Sequence, residues 1–159
     1  MRLSELFREV EFDGSIKNDA DINLVTDDSR LVRPGSLFVC IRHRSFDGHT
    51  AALDALASGA AAVVTQDRLG LENELHVADS RSAYARLCAA LCNHPERRLR
   101  MIGVTGTNGK TTVTTLIRNI LSDSGTKTLL TGTVCNRLGD ENLPSGLTTP
   151  KPPELYSLL

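Results

Sequence analysis

Gly103-Val104-Thr105-Gly106-Thr107-Asn108-Gly109-Lys110-Thr111-Thr112 is the stretch on which the fold turns. An apolar run, Leu99 to Thr105, precedes its glycines and reads as a strand. Thr111 to Leu121 follows, with Val113, Leu116, Ile117, Ile120 and Leu121 on one side of a helix. Strand, glycine loop and helix in that order make a phosphate-binding loop. Gly106 and Gly109 let backbone N–H groups turn inward, and the helix start adds further N–H groups and the positive end of its dipole. Lys110 has the reach for β- and γ-phosphates, the Thr111 hydroxyl suits Mg²⁺, and Thr112 suits a phosphate oxygen. The strict form of the motif would need glycine at position 104, where this chain has Val104. The competing reading is a tight turn with an exposed lysine.

Working outward, Lys127 to Thr131 reads as the next strand, so a βαβ unit with a parallel strand pair is expected. Asn136 to Pro153, rich in Gly, Pro, Asn and Thr, reads as a long loop before a helix starting near Pro152 or Pro153. Upstream, Asn93-His94-Pro95-Glu96-Arg97-Arg98 is a polar, proline-bearing connector. Its arginines, with Arg100, form either a solvated face or an anion patch. Before it come a short helix over Ser4 to Val10, strands over Ile22 to Val25, Leu37 to Ile41, Ala60 to Thr65 and Leu75 to Val77, and a helix over His49 to Ser58 closed by Gly59. A further helix from Ser80, ended by Pro95, repeats Tyr84, Leu87, Cys88 and Leu91 on one face. Alternating strands and helices imply an α/β fold.

Composition excludes several classes. The chain has 159 residues, a length for one ordinary domain or two small ones. Its 18 basic and 19 acidic residues leave a net charge of −1, which argues against nucleic acid as a partner. No run nears the roughly 18 apolar residues of a membrane helix, and the N-terminus carries acids where a secretory signal needs an apolar core. A cytoplasmic location without membrane insertion is therefore expected. Cys88, Cys92 and nearby His94 invite a metal reading, but Cys88 and Cys92 also fall where small apolar residues pack on a helix face.

The loop Gly106-Thr107-Asn108-Gly109-Lys110-Thr111-Thr112 resembles the ATP loop of the Mur ligases, which build the peptide of bacterial cell-wall precursors. Asp28-Ser29-Arg30, then Val32 to Val39, then Asp47-Gly48-His49, then Ser58 to Val63, resemble the uridine-nucleotide-binding domain of that family. With Thr148-Thr149-Pro150, the pattern is most similar to the branch that adds the third amino acid, and next to the branch that adds the terminal dipeptide. The resemblance implies a small α/β UDP-sugar-binding domain over 1–97. It implies the beginning of a parallel-sheet ATP-binding domain over 98–159, so that the chain is an N-terminal portion and the C-terminal portion of the ligase is missing.

The same resemblance implies the site. Gly106, Thr107, Asn108, Gly109, Lys110, Thr111 and Thr112 would hold ATP, with Lys110 catalytic and Thr111 on Mg²⁺. Asp27, Ser29, Arg44, Ser45 and Phe46 would hold the uridine nucleotide, and Thr148 and Thr149 the muramoyl group of a UDP-N-acetylmuramoyl-dipeptide. Taken by themselves, Arg44 suits a diphosphate or open solvent, Phe46 a base face or the core, and the Thr pair also suits a helix cap. His43 stands where many relatives have glycine. The implied activity is amide-bond formation through an acyl phosphate, with meso-diaminopimelate or lysine incoming. The alternatives are another ligase of the family or a non-catalytic nucleotide-binding module.

Overall fold

The computed structural model describes every residue except 133, 135 and 144–149. The chain divides into two compact units, Met1–His94 and Pro95–Leu159.

The first unit holds helix α1 (Leu3–Leu6), strands β1 (Leu24–Thr26) and β2 (Ser36–Val39), helix α2 (Ala52–Ala57), strands β3 (Ala60–Thr65) and β4 (Glu74–His76), and helix α3 (Ser80–Leu91). The four strands form one sheet in the order β1-β2-β3-β4, every pair parallel. Leu37 sits beside Val25, Phe38 beside Val63, and Val64 beside Leu75. All of β2 is buried, as expected for a parallel strand covered on both faces. Helix α2 packs on β3, and α3 on β1. One core cluster joins Phe38, Cys40, Ala51, Ala52, Ala55, Ala60 and Val63.

The boundaries differ locally from the sequence reading, each for a visible reason. Ile22 is not in β1, because its N–H and C=O pair with Met1 at 2.8 and 3.2 Å. Helix α1 stops at Leu6, well short of Val10. The segment after Asp47 begins as a 3₁₀ turn, Gly48–Ala51, before α2 takes over. Helix α3 ends at Leu91, ahead of Pro95. Asn93 and His94 take positive φ of 57° and 51°, and the His94 N–H closes on the Ala89 carbonyl at 2.8 Å.

The second unit contains helix α4 (Lys110–Asp123), strands β5 (Leu129–Leu130), β6 (Asn136–Leu138) and β7 (Glu141–Leu143), and helix α5 (Pro152–Leu158). Two expectations fail here. Residues 99–105 form no strand, so the expected βαβ pair is absent, and β5 pairs antiparallel with β6 instead. Part of the expected long loop is the β6–β7 hairpin, turning at Gly139-Asp140. The physical reason is locality. A parallel pair needs a long crossover, whereas a glycine at φ +54° lets β6 and β7 pair across two residues. Leu99, Met101 and Ile102 stay exposed. Among the described residues, the buried aliphatic and aromatic side chains all lie in the first unit, while the second buries Pro95 and Pro150. In the second, Arg118 is buried and ties α4 to the hairpin turn through the Gly139 carbonyl and Asp140. Lys151, rather than either threonine, stands at the N-cap of α5. No described helix is long and apolar enough to cross a membrane.

Candidate functional site

In a parallel sheet the loops leaving the carboxyl ends of the strands gather on one edge, where such folds bind ligands. Asp27 and Ser29 follow β1, and Arg44, Ser45 and Phe46 follow β2. All five sequence-predicted residues of this unit therefore come to the same edge. The other two, Thr148 and Thr149, lie outside the described residues.

The segment 42–47 is a narrow hairpin. Arg42 and Asp47 form a β-bridge, and the His43 N–H donates to the Phe46 carbonyl at 2.7 Å, leaving Arg44 and Ser45 at the tip. Phe46 is 49% exposed, so it does not belong to the core. The base is firmly held. The Arg42 guanidinium donates to Asp47 at 3.0 Å and to Asp67, and Arg81 donates to the Arg42 carbonyl.

Asp47-Gly48-His49 supplies the rest of the base. Asp47 Oδ1 accepts the His49 N–H at 3.1 Å, which caps the 3₁₀ turn. Gly48 runs so close to the chain just past β2 that an added Cβ would lie 2.8 Å from the Ile41 nitrogen. His49 Nε2 accepts the N–H groups of Gln66 and Asp67 at 3.1 and 3.3 Å, and its other nitrogen lies 2.6 Å from Asp47. Since Nε2 accepts, Nδ1 carries the proton. Hydrogen bonds from His49 and Arg42 hold the Asp47 carboxyl well below the usual range. Among the described residues, Asp47, His49 and Asp67 are the one trio with the spacing of a cation site. His49 has no lone pair left for a metal, so the cluster reads as a clasp between the loops after β2 and β3. Cys88 and Cys92 do not join His94 in such a trio; Cys88 is buried on the inner face of α3.

Asp27 is also engaged. One oxygen accepts the Tyr84 hydroxyl at 3.2 Å and the other lies 3.3 Å from His43 Nε2, with 5% of the side chain exposed. Ser29 opens a 3₁₀ turn capped by Asp28, whose carboxylate also grips the Arg30 guanidinium. A cavity of about 370 Å³ on this edge is lined by Arg42, His49, Gln66, Asp79, Ser80 and Arg81. A groove of about 400 Å³ elsewhere in the unit, between Arg8 and Arg86, contains none of the predicted residues. Of the groups that build the edge, Arg42, His49, Gln66, Arg81 and Tyr84 were missed as site residues; the Asp-Gly-His triplet was the available signal.

In the second unit, Gly106 and Gly109 take φ of +152° and +78°, values that side-chain-bearing residues rarely adopt. Gly109 is the N-cap of α4 and supplies no side-chain cap, so the first N–H groups of the helix remain for an anion. Lys110 Nζ folds back onto the Gly106 carbonyl at 2.6 Å and the Thr107 carbonyl at 3.4 Å. Residues 106–112 are all exposed. The loop thus fits a phosphate: open N–H donors, one exposed cation and the hydroxyls of Thr107, Thr111 and Thr112. For a cation this chain offers the Thr111 hydroxyl, and no described acidic cluster lies in the same unit.

An all-parallel α/β unit followed by a unit with a glycine-lysine phosphate loop defines the class. Comparison with known proteins narrows it. The Mur ligase family, catalytic domain, matches residues 21–97, and the Mur ligase middle domain matches residues 104–159. The chain belongs to the Mur ligase family. It is 37% identical over 152 residues to the UDP-N-acetylmuramoyl-L-alanyl-D-glutamate--2,6-diaminopimelate ligase of Listeria monocytogenes, a match covering 94% of this chain and 31% of that protein. A solved structure of a ligase of the same name covers 99% of this chain and 32% of its own, with a TM-score of 0.76 and 28% identity. A MurF ligase from Thermotoga maritima in complex with ADP is similar over 69% of this chain and 25% of its own, with a TM-score of 0.50 and 26% identity. The chain spans about a third of the length of the curated relatives it matches.

Proposed function

We propose that this chain supplies the uridine-nucleotide site and the ATP phosphate loop of a ligase that adds the third amino acid to UDP-N-acetylmuramoyl-L-Ala-D-Glu in peptidoglycan synthesis. Residues 1–97 would bind the UDP-sugar, and 98–159 would begin the ATP-binding domain. The carrying observation is the gathering of Asp27, Ser29 and Arg44–Phe46 on one carboxyl edge of a parallel sheet. The names of the relatives favour diaminopimelate over lysine as the incoming amino acid.

ATP would phosphorylate the dipeptide carboxylate and leave as ADP; the incoming amine would then attack the acyl carbon of that acyl phosphate, form the amide and displace inorganic phosphate. What this chain adds is positioning and charge neutralisation, the main contributions a protein makes to phosphoryl transfer. Lys110 would leave the Gly106 and Thr107 carbonyls for phosphate oxygens, and the N–H groups at the start of α4 would hold the rest. Thr111 would hold Mg²⁺, and Thr112 a phosphate oxygen. On the other unit, Arg44 would pair with the diphosphate, Ser29 and Ser45 would act as neutral donors to the nucleotide, and Phe46 would lie against the uracil.

Calorimetric titration of the chain with UDP-N-acetylmuramoyl-L-Ala-D-Glu tests the reading. Binding weakened by Ser29→Ala with Arg44→Ala is expected; the same affinity in that double variant would refute it.

A further inference from the structure

The uridine-nucleotide reading makes Asp27 a residue that lines the ligand. Its surroundings give it another task. The carboxylate is buried, and a buried carboxylate is tolerated only while its partners hold it. One partner, Tyr84, is itself buried on α3. Burial first, and then the Asp27 charge, push the Tyr84 phenol well above its ordinary value, so the hydroxyl stays a donor. Asp27 and Tyr84 thus form a fixed post at the end of β1.

His43 is the movable partner. Its side chain is 39% exposed, and it stands in the 42–47 hairpin, one residue before the tip. The hairpin is tied to the loop after β3 by Arg42 and Asp67, and to α3 by Arg81. His43 to Asp27 ties it to the loop after β1, where Ser29 stands.

We propose that His43 is a positioning residue for the nucleotide, and that Asp27 acts through it rather than by touching the ligand. The tie fixes how far the Arg44-Ser45-Phe46 tip stands from the Ser29 loop. Both sets of contacts are then preorganised, and ligand binding does not have to order the hairpin. This inference rests on the uridine-nucleotide reading and deepens it.

The test is calorimetric titration of the full chain with UDP, with a thermal midpoint for each variant. His43→Ala should weaken UDP about tenfold through lost preorganisation, while the midpoint falls only slightly because Tyr84 still donates to Asp27. His43→Gln, whose amide N–H can still donate to Asp27, should recover most of the affinity. Asp27→Asn combined with His43→Ala should be no weaker than His43→Ala alone. UDP affinity unchanged in His43→Ala, alongside weakened binding in Ser29→Ala with Arg44→Ala, would overturn this proposal and leave the nucleotide reading standing. A midpoint that falls markedly with the affinity and is not recovered by Gln would reduce His43 to a structural role and also overturn it. No UDP binding by the unaltered chain would overturn the nucleotide reading, and the proposal with it.

Discussion

The imidazole of His49 donates from Nδ1 to Asp47 at 2.6 Å and accepts two backbone N–H groups, of Gln66 and Asp67, on Nε2. The ring is 7% exposed, while the Gln66 and Asp67 donors lie on exposed residues. Removing the ring exchanges these bonds for bonds to water and loses its packing, at about 1 kcal/mol. His49→Ala should therefore lower the urea midpoint of the first unit. Because the clasp supports the 42–47 hairpin, hydrogen exchange at Phe46 should rise in the same variant. An unchanged midpoint would show that the clasp contributes nothing.

Acid should loosen the same region. The His49 side chain and N–H, followed by Arg42, depress the folded-state Asp47 carboxyl below its ordinary value of 3.8. Burial alone would raise the Glu74 carboxyl from 4.5, but the Thr65 hydroxyl and the N–H groups of Leu69, Leu71 and Gly70 bring it below that value. For a depressed carboxyl the unfolded state binds the proton first, so stability is full above the unfolded value and falls as pH drops toward the folded one. Unfolding midpoints should be flat near neutrality and begin to fall as pH passes from about 4.5 downward, with the Asp47 share starting near 3.8. Glu74→Gln should flatten part of that fall; an identical acid profile would count against it.

Much of this unit was legible because local signals agreed. Ala60 to Thr65 is a continuous apolar run set off by Gly59, and it forms β3 over those same residues. Helix α3 showed its face through Tyr84, Leu87 and Cys88, and Asp79 caps it from the side chain. Residues 99–105 misled, because an apolar run becomes a strand only with a ladder partner, which composition does not reveal. The hairpin was missed although Gly139-Asp140 is a turn signal, because the surrounding Asn, Pro and Thr read as loop. At the candidate site, Ser29 and Arg44–Phe46 were proposed from motifs, and the fold brings them to one edge of the sheet. His49, Arg42 and Tyr84 act over long separations in sequence, and no local pattern announces such partners.

Gly48 explains itself sterically. An added Cβ would meet the backbone N of Ile41 at 2.8 Å and its O at 3.0 Å, and neither atom can swing aside. Gly48→Ala should destabilise by roughly 1–3 kcal/mol, the usual cost of overpacking. Phe38→Ala, at the centre of the core cluster, should cost about 3–5 kcal/mol. Equilibrium urea unfolding ranks the two; a Gly48→Ala variant as stable as the parent would mean the turn can move away from β2.

Thiol chemistry separates core cysteines from ligands. Burial pushes the Cys88 thiol up to about 12, helped by Cys92 and Asp27, and burial likewise pushes Cys40 up to about 12. The thiolate is the reactive form. Iodoacetamide at neutral pH should therefore modify the partly exposed Cys92 well before Cys40 or Cys88, as peptide mapping would show. Rapid modification of Cys88 in the folded chain would contradict its place on the inner face of α3.

The phosphate loop makes a separable pair of predictions. Lys110 Nζ now bonds the Gly106 carbonyl at 2.6 Å, a contact a phosphate must replace. Its charge-assisted bond to phosphate is worth about 1.5–3 kcal/mol, so Lys110→Ala should weaken ATP binding by about ten- to a hundredfold. On the proposed reading the lysine would meet the phosphates directly, so that loss should be the same with Mg²⁺ or with EDTA. On the same reading Thr111 would offer its hydroxyl to the cation instead, so Thr111→Ala should weaken ATP only when Mg²⁺ is present. Fluorescence titration with a labelled ATP analogue in both buffers reads the two effects. Equal losses for Thr111→Ala in Mg²⁺ and EDTA would remove Thr111 from the cation. A Lys110→Ala variant that binds like the parent would leave residues 106–112 as a turn whose lysine merely caps its own carbonyls.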